Sequence, residues 1–189
     1  MWTVGRAPAG PVTVRFTAWP RVTDNRTPSG PRFDLRADPA GGLVGMGIGF
    51  LPRPADALAG DADWRVSLAF ELPEDEDGGG GGARTSAASS LGDGSAPARA
   101  RGRPDDLVSK CVVAVGPLQA WRDSRDGREI AVYWLGSPPY DMPRVATAAA
   151  MAIRSIDAFF VRAAGAASDF RVFVRQVENA NGGTEAYAR

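Results

Sequence analysis

The sequence predicts an α+β protein with one mixed, mainly antiparallel β-sheet of about six to eight strands, covered by one long α-helix. Several short stretches alternate apolar and polar residues, which is the pattern of half-buried strands. One longer stretch, residues 141–165, repeats its apolar residues with the period of an α-helix. A third stretch, residues 73–106, is rich in glycine, serine and charged residues and predicts a disordered insertion.

The chain of 189 residues is long enough for one domain and short for two. The part before residue 73 offers strands without a helix to cover them, and the part after residue 106 holds the helix. One sheet built from strands of both parts would allow the helix to cover the apolar face of the strands and the sheet to cover the apolar face of the helix. We therefore predict a single α+β domain over residues 1–189. A linker between two domains is the alternative. Residues 178–189 are polar and predict a flexible tail.

Three stretches of the first part predict strands. In residues 11–19, Val14 and Phe16 share one face with Val12 and Ala18, and the other face carries polar residues and Trp19. Residues 32–38 show a shorter alternation of apolar and polar residues, which predicts a short strand. The clearest one is residues 63–72, where five apolar side chains face inward: Trp64, Val66, Leu68, Phe70 and Leu72.

Between these strands, residues 43–50 combine an apolar face with a face of glycines at positions 45, 47 and 49. A strand with a bare glycine face is weak unless another backbone or a ligand comes close to it. We expect the alanine-rich helix or a small molecule to pack there. The glycine spacing and the prolines that follow do not fit a dinucleotide-binding loop.

The second part predicts a buried strand in residues 107–116 and a hairpin over residues 118–135 with Asp126-Gly127 at its tip. Residues 130–135 are apolar on both faces, which predicts a central strand covered on both sides. Residues 169–177 predict the closing strand. The helix is expected to begin at Asp141 and to bury one stripe: Val145, Ala149, Ala152, Ile153, Ile156, Phe160 and Ala163.

Composition excludes several chemistries. The chain has no histidine and one cysteine, so Ser-His-Asp sites, histidine metal ligands and cysteine-rich zinc sites are absent. We predict no metal and no cofactor. The 22 basic residues balance the 22 acidic ones, with no excess in either part, so no nucleic-acid partner is expected. No apolar run is long enough to span a membrane. The cytoplasm is the expected location, and organelle transit is the alternative.

Two sets of residues are candidate functional sites. Ser137, Tyr140, Asp141 and Arg144 cluster where a predicted strand meets the helix N-terminus, which favours an anion or a small ligand. Their structural interpretation is a helix cap and a proline turn. Three aromatic residues are candidates for a partner surface if they lie on outer strand faces: Trp19, Tyr133 and Phe173.

The sequence therefore predicts a non-catalytic protein that acts through protein–protein contacts, as a subunit, adaptor or assembly factor, with a protein partner or a second copy of itself. Two alternatives stay open. One is a small-molecule or anion-binding domain that uses residues 136–144 or the glycine-faced strand 43–50. The other is an enzyme that works without histidine, through aspartate, glutamate, tyrosine and arginine.

Overall fold

A computed structural model of the chain describes residues 10, 13–20, 35–38, 40–52, 63–72, 84–125, 127–164, 169–176 and 184–188, with side chains left out at 161–164, 176 and 184–188. These residues form an α+β fold, as the sequence predicts. The long helix is α1 (Met142–Ala164). The strands are β1 (Arg36–Ala37), β2 (Leu43–Met46), β3 (Trp64–Leu68), β4 (Ser86–Ser89), β5 (Ala98–Gly102), β6 (Val112–Gly116), β7 (Leu118–Arg125), β8 (Arg128–Leu135), β9 (Phe170–Gln176) and β10 (Thr184–Ala188).

The strands divide among three sheets, whereas the sequence predicted one. Sheet I has the order β1–β2–β6–β4 and is antiparallel throughout. Sheet II has the order β10–β9–β8–β7, in which only the β8–β9 pair is parallel. Strands β3 and β5 form a separate antiparallel ribbon. Parallel neighbours need a long crossover, and α1 supplies it between β8 and β9.

Sheet II is the middle layer, because both of its faces are covered. On one face, Tyr133 and Phe173 pack with Val44, Ala88 and other residues of sheet I. On the opposite face, Val132 and neighbouring apolar residues pack against α1. This arrangement explains why β8 is apolar on both sides, as its sequence predicts: residues 130–135 are all buried.

The chain passes from sheet I to sheet II at a tight corner. Strand β6 ends at Gly116, and β7 begins two residues later at Leu118. Gly116 has a φ of 143°, and a Cβ atom there would lie 2.6 Å from the Cα of Gly42. The two glycine backbones, which flank the paired strands β2 and β6 of sheet I, are therefore in direct contact, and larger residues at this corner would force these two strands apart.

Part of the predicted insertion is ordered. Residues 84–106 contain β4 and β5, and Ala87, Ala88 and Ser89 of β4 are buried. The prediction of disorder is therefore wrong for residues 84–106, while residues 73–83 lie outside the described part. Small side chains explain the error: alanine and serine carry little hydrophobic signal, yet they fit a closely packed layer between two sheets.

Two other expectations about the ends of the chain are wrong. Residues 13–20 form no strand, and the apolar side chains of Val14 and Phe16 are exposed. The predicted flexible tail contains β10, which pairs with β9 as an edge strand of sheet II. In both cases the outcome depends on whether an unpaired sheet edge lies near the segment. The local sequence pattern carries no information about this.

The glycine-faced stretch is also different from the prediction. Strand β2 ends at Met46, and Gly47–Gly49 form a 3₁₀ turn. A Cβ atom at Gly47 would lie 1.9 Å from the carbonyl oxygen of Val108, so the close neighbour is the backbone of a π-helical turn, Asp105–Ser109, and not α1. Glycine is required at this position, but for a contact other than the one expected.

Candidate functional site

The strand–helix junction at residues 136–144 is an exposed turn. Ser137, Tyr140, Asp141 and Arg144 are all exposed. The Oδ1 atom of Asp141 accepts a hydrogen bond from the backbone N–H of Arg144 at 3.1 Å, which makes Asp141 the N-cap of α1. Its carboxylate already supplies negative charge at the helix N-terminus, so the geometry matches the structural interpretation of this motif. A ligand at these four residues stays a sequence prediction.

The three candidate aromatic residues lie in different environments. Trp19 is 83% exposed, as a partner surface requires. Tyr133 and Phe173 are 2% and 1% exposed, and their rings stack on each other with centroids 5.2 Å apart. The prediction that these two lie on an outer face is wrong, because sheet I covers that face of sheet II. Their role is to fill the layer between the sheets.

A polar cluster borders these rings at one end of the layer. The Arg122 guanidinium lies 5.5 Å from the centroid of the Tyr133 ring and also pairs with Glu129 at 3.0 Å and Asp93 at 3.5 Å. A hydrogen bond from the Ser95 hydroxyl is the main cause that lowers the pKa of Asp93. Burial raises the pKa of Tyr133, although the positive charges of Arg122 and Arg171 oppose the shift. The phenol is therefore protonated near neutral pH, where it can donate a hydrogen bond but cannot act as a base.

Half of the large apolar side chains that are exposed among the described residues lie on α1, Met151 and Phe160 included. Phe159 is 77% exposed, Ile156 57% and Val145 41%. With Ala149 and Ala152 they follow one another at alternating spacings of four and three residues, which is the seam pattern of a coiled coil. We call these five residues the outer stripe. The sequence predicted that a stripe containing four of them faces the sheet, and this prediction is wrong.

A neighbouring stripe of α1 faces sheet II instead. Met142 and Ala146 are buried against Val132 and Trp134, and Ile153 packs against the same cluster. Both stripes combine alanine with larger apolar side chains, so hydrophobicity alone did not distinguish the two faces. The apolar arc of α1 is wider than the sheet can cover.

Two ion pairs fix the rotation of α1 about its own axis. The guanidinium of Arg154 donates to Asp123 Oδ2 on β7, with Nη2 at 2.9 Å and Nε at 3.2 Å. Arg128 on β8 pairs with Asp157, one turn further along the helix. Burial disfavours ionisation of Asp123, but hydrogen bonds from Arg154 and Arg125 outweigh it and lower the pKa of Asp123. With these contacts on the sheet side, the large side chains of the outer stripe, Val145, Ile156 and Phe159, stay in solvent.

No family of known proteins matches the chain, and no curated protein matches its sequence. Among the described residues, no group of three or more carboxylate or thiol side chains is placed to hold a metal ion. In the same residues, no helix is long and apolar enough to cross a membrane. Among the described residues, the outer stripe is the feature with the most specific pattern.

Proposed function

We propose that the protein is a non-catalytic interaction protein and that the outer stripe of α1 is its docking surface. The observation that carries this proposal is the exposure of Ile156 and Phe159 on a helix whose other apolar face is packed against sheet II at Met142 and Ala146. Contiguous apolar patches on a protein surface mark contacts with partners, because leaving them in water forgoes hydrophobic stabilisation. Fully burying one such side chain contributes about 1.5–3 kcal/mol.

The occupant of the stripe is a second copy of α1 in antiparallel orientation. When two stripes are aligned about Arg154, Ala149 lies opposite Phe159 and Ala152 lies opposite Ile156, so a small residue meets a large one in each of these layers. The Arg154 side chain points to Asp123 on its own sheet and away from the seam. The stripe contains no charged residue, so no charge is desolvated when the helices meet. A twofold interface of this kind is self-complementary.

The same proposal places the protein in the cytoplasm, since its only cysteine, Cys111, is a buried thiol that provides no stabilising disulfide. In that setting a self-associating α+β protein would serve as a subunit or scaffold. The exposed Trp19 is a second contact point for a further partner.

The test is the oligomeric state of the full chain, measured by light scattering over about 1–100 μM protein. We expect a dimer whose dissociation constant rises on the order of 100-fold in Ile156→Glu. Met151→Glu is the matched control, because Met151 is 67% exposed on α1 but lies outside the outer stripe. A monomer at the highest concentration, or equal weakening by both variants, would overturn the proposal.

A further inference from the structure

The β3–β5 ribbon places three arginines side by side on its exposed face. In the antiparallel register Arg65 lies directly opposite Arg101, and Arg99 is the next residue on the same face, opposite Ser67. All four side chains are exposed. In the sequence the two strands are more than 30 residues apart, so this concentration of positive charge exists only after the strands pair.

The positive charge on this face is only partly neutralised. Arg101 pairs with Asp63 at 3.2 Å. Within the part of the chain that the structure describes, no ion pair involves Arg65 or Arg99. Like charges directly opposite each other destabilise a strand pair. An anion between the guanidinium groups would remove this repulsion, whereas water only screens it.

The arginines also line an open, shallow depression on the ribbon. Its volume is about 500 Å³, and its walls are Arg65, Val66, Ser67, Arg99, Ala100 and Arg101. A volume of this order holds a small ligand or part of a larger one. Gly102, at the end of β5, lies beside the buried side chain of Leu107: a Cβ atom at Gly102 would be 3.6 Å from Leu107 Cδ2, which is van der Waals distance. This end of the ribbon therefore contacts the packed body of the protein.

We propose that the exposed face of the β3–β5 ribbon binds phosphate-bearing anions. A guanidinium group donates two parallel hydrogen bonds to a phosphate, and three such groups match a ligand with several negative charges and acceptor oxygens. A single carboxylate offers only one charge and two oxygens. The hydroxyl of Ser67 adds a neutral donor on the same face. The phosphate can belong to a free polyphosphate or to a nucleic-acid backbone, since both present the same chemistry.

The experiment measures binding of two probes to the full chain by calorimetry at low salt. Tripolyphosphate represents a free ligand, and a single-stranded 12-mer oligonucleotide represents a backbone. We expect Arg65→Ser/Arg99→Ser to weaken binding of at least one probe tenfold or more. Arg15→Ser/Arg125→Ser is the matched control, because it removes the same charge from exposed positions outside the ribbon and should leave binding within about twofold of the wild type.

The outcomes separate the two sources and test the proposal itself. Tighter binding of tripolyphosphate assigns a free polyphosphate ligand. Tighter binding of the oligonucleotide, with a salt dependence that decreases in the ribbon variant, assigns a nucleic-acid backbone. The proposal is overturned if neither probe binds, if both double variants weaken binding equally, or if a poly-glutamate peptide binds as tightly as the phosphates. Circular dichroism of each variant checks that the fold is kept.

Discussion

The two apolar faces of α1 differ in how they are covered, although their sequences are similar. Met142 and Ala146 lie against sheet II, while Ile156 and Phe159 on the neighbouring face lie in solvent. Both faces combine alanines with larger apolar side chains: the buried face also has Met142 and Ile153, and the exposed face has Ile156 and Phe159. Hydrophobicity therefore did not decide which face packs. The close fit of alanine to the sheet and the ion pairs of Arg154 and Arg128 decided it.

This difference assigns a separate role to each face. The inner face contributes to the stability of the folded chain, and we propose that the outer face contributes to association. Substitutions that are chemically identical should therefore have different effects on the two sides of the same helix.

The strongest test places a charge on the inner face. Ala146 is 0% exposed, so Ala146→Glu would bury a carboxylate without a partner and should cost about 3–5 kcal/mol of unfolding free energy. The expected fall in melting temperature is roughly 6–20 °C, measured by calorimetry. The control is Ala158→Glu, an exposed position on the same helix, which should change stability by about 0.5 kcal/mol or less. Equal losses in both variants would mean that the inner face is not the packed one.

Disulfide trapping tests the outer face and its proposed orientation. When Ala149→Cys chains are mixed with Phe159→Cys chains under oxidising conditions, the antiparallel arrangement predicts a mixed dimer as the main cross-linked product on a non-reducing gel. The native Cys111 is buried and contributes little background. Ala158→Cys, away from the stripe, is the control. If each variant cross-links mainly with itself, the helices pair in parallel, and the proposed alignment is wrong.

The ion pair that orients α1 predicts a small dependence of stability on pH. The pKa of Asp123 is lowered from its ordinary value of 3.8 in the folded state, so its contribution is present above that value and is lost as the pH falls through the folded-state pKa. The stability difference between the wild type and Asp123→Asn should therefore be constant near neutral pH and shrink below about pH 4. Chemical denaturation at several pH values measures it. A difference of equal size at pH 3 and pH 7 would contradict this role of Asp123.

Arg154→Ala provides the control for this interpretation. It removes the main donor to Asp123 and leaves the carboxylate in place. The pH dependence caused by Asp123 should decrease in this variant, because the folded-state pKa moves back toward its ordinary value. An unchanged pH dependence would assign the effect to another carboxylate.

Several elements of the fold were predictable because their information is local. The β7–β8 hairpin consists of two strand-forming segments on either side of a turn at Gly127, whose φ of 72° suits glycine. The helix begins after Asp141, whose side chain caps it. Strand β3 shows the predicted alternation over Trp64–Leu68, although its apolar side chains are only half-buried and the strand ends before Phe70. The absence of histidine likewise limits the available chemistry without any knowledge of the fold.

The remaining features depend on contacts between segments that are distant in sequence. A strand pattern indicates that a segment can pair, but not whether an unpaired sheet edge lies near it. Residues 13–20 form no strand, whereas the less hydrophobic β4 lies in a core. The covered face of α1 and the arginine cluster at Arg65 and Arg101 arise in the same way. Periodicity is a property of one segment. Burial and local charge density depend on the other segments that lie next to it in the folded chain. Local patterns and composition therefore predicted the β7–β8 hairpin, α1 and the lack of histidine chemistry, whereas the surfaces available for binding depend on contacts that form only in the folded chain.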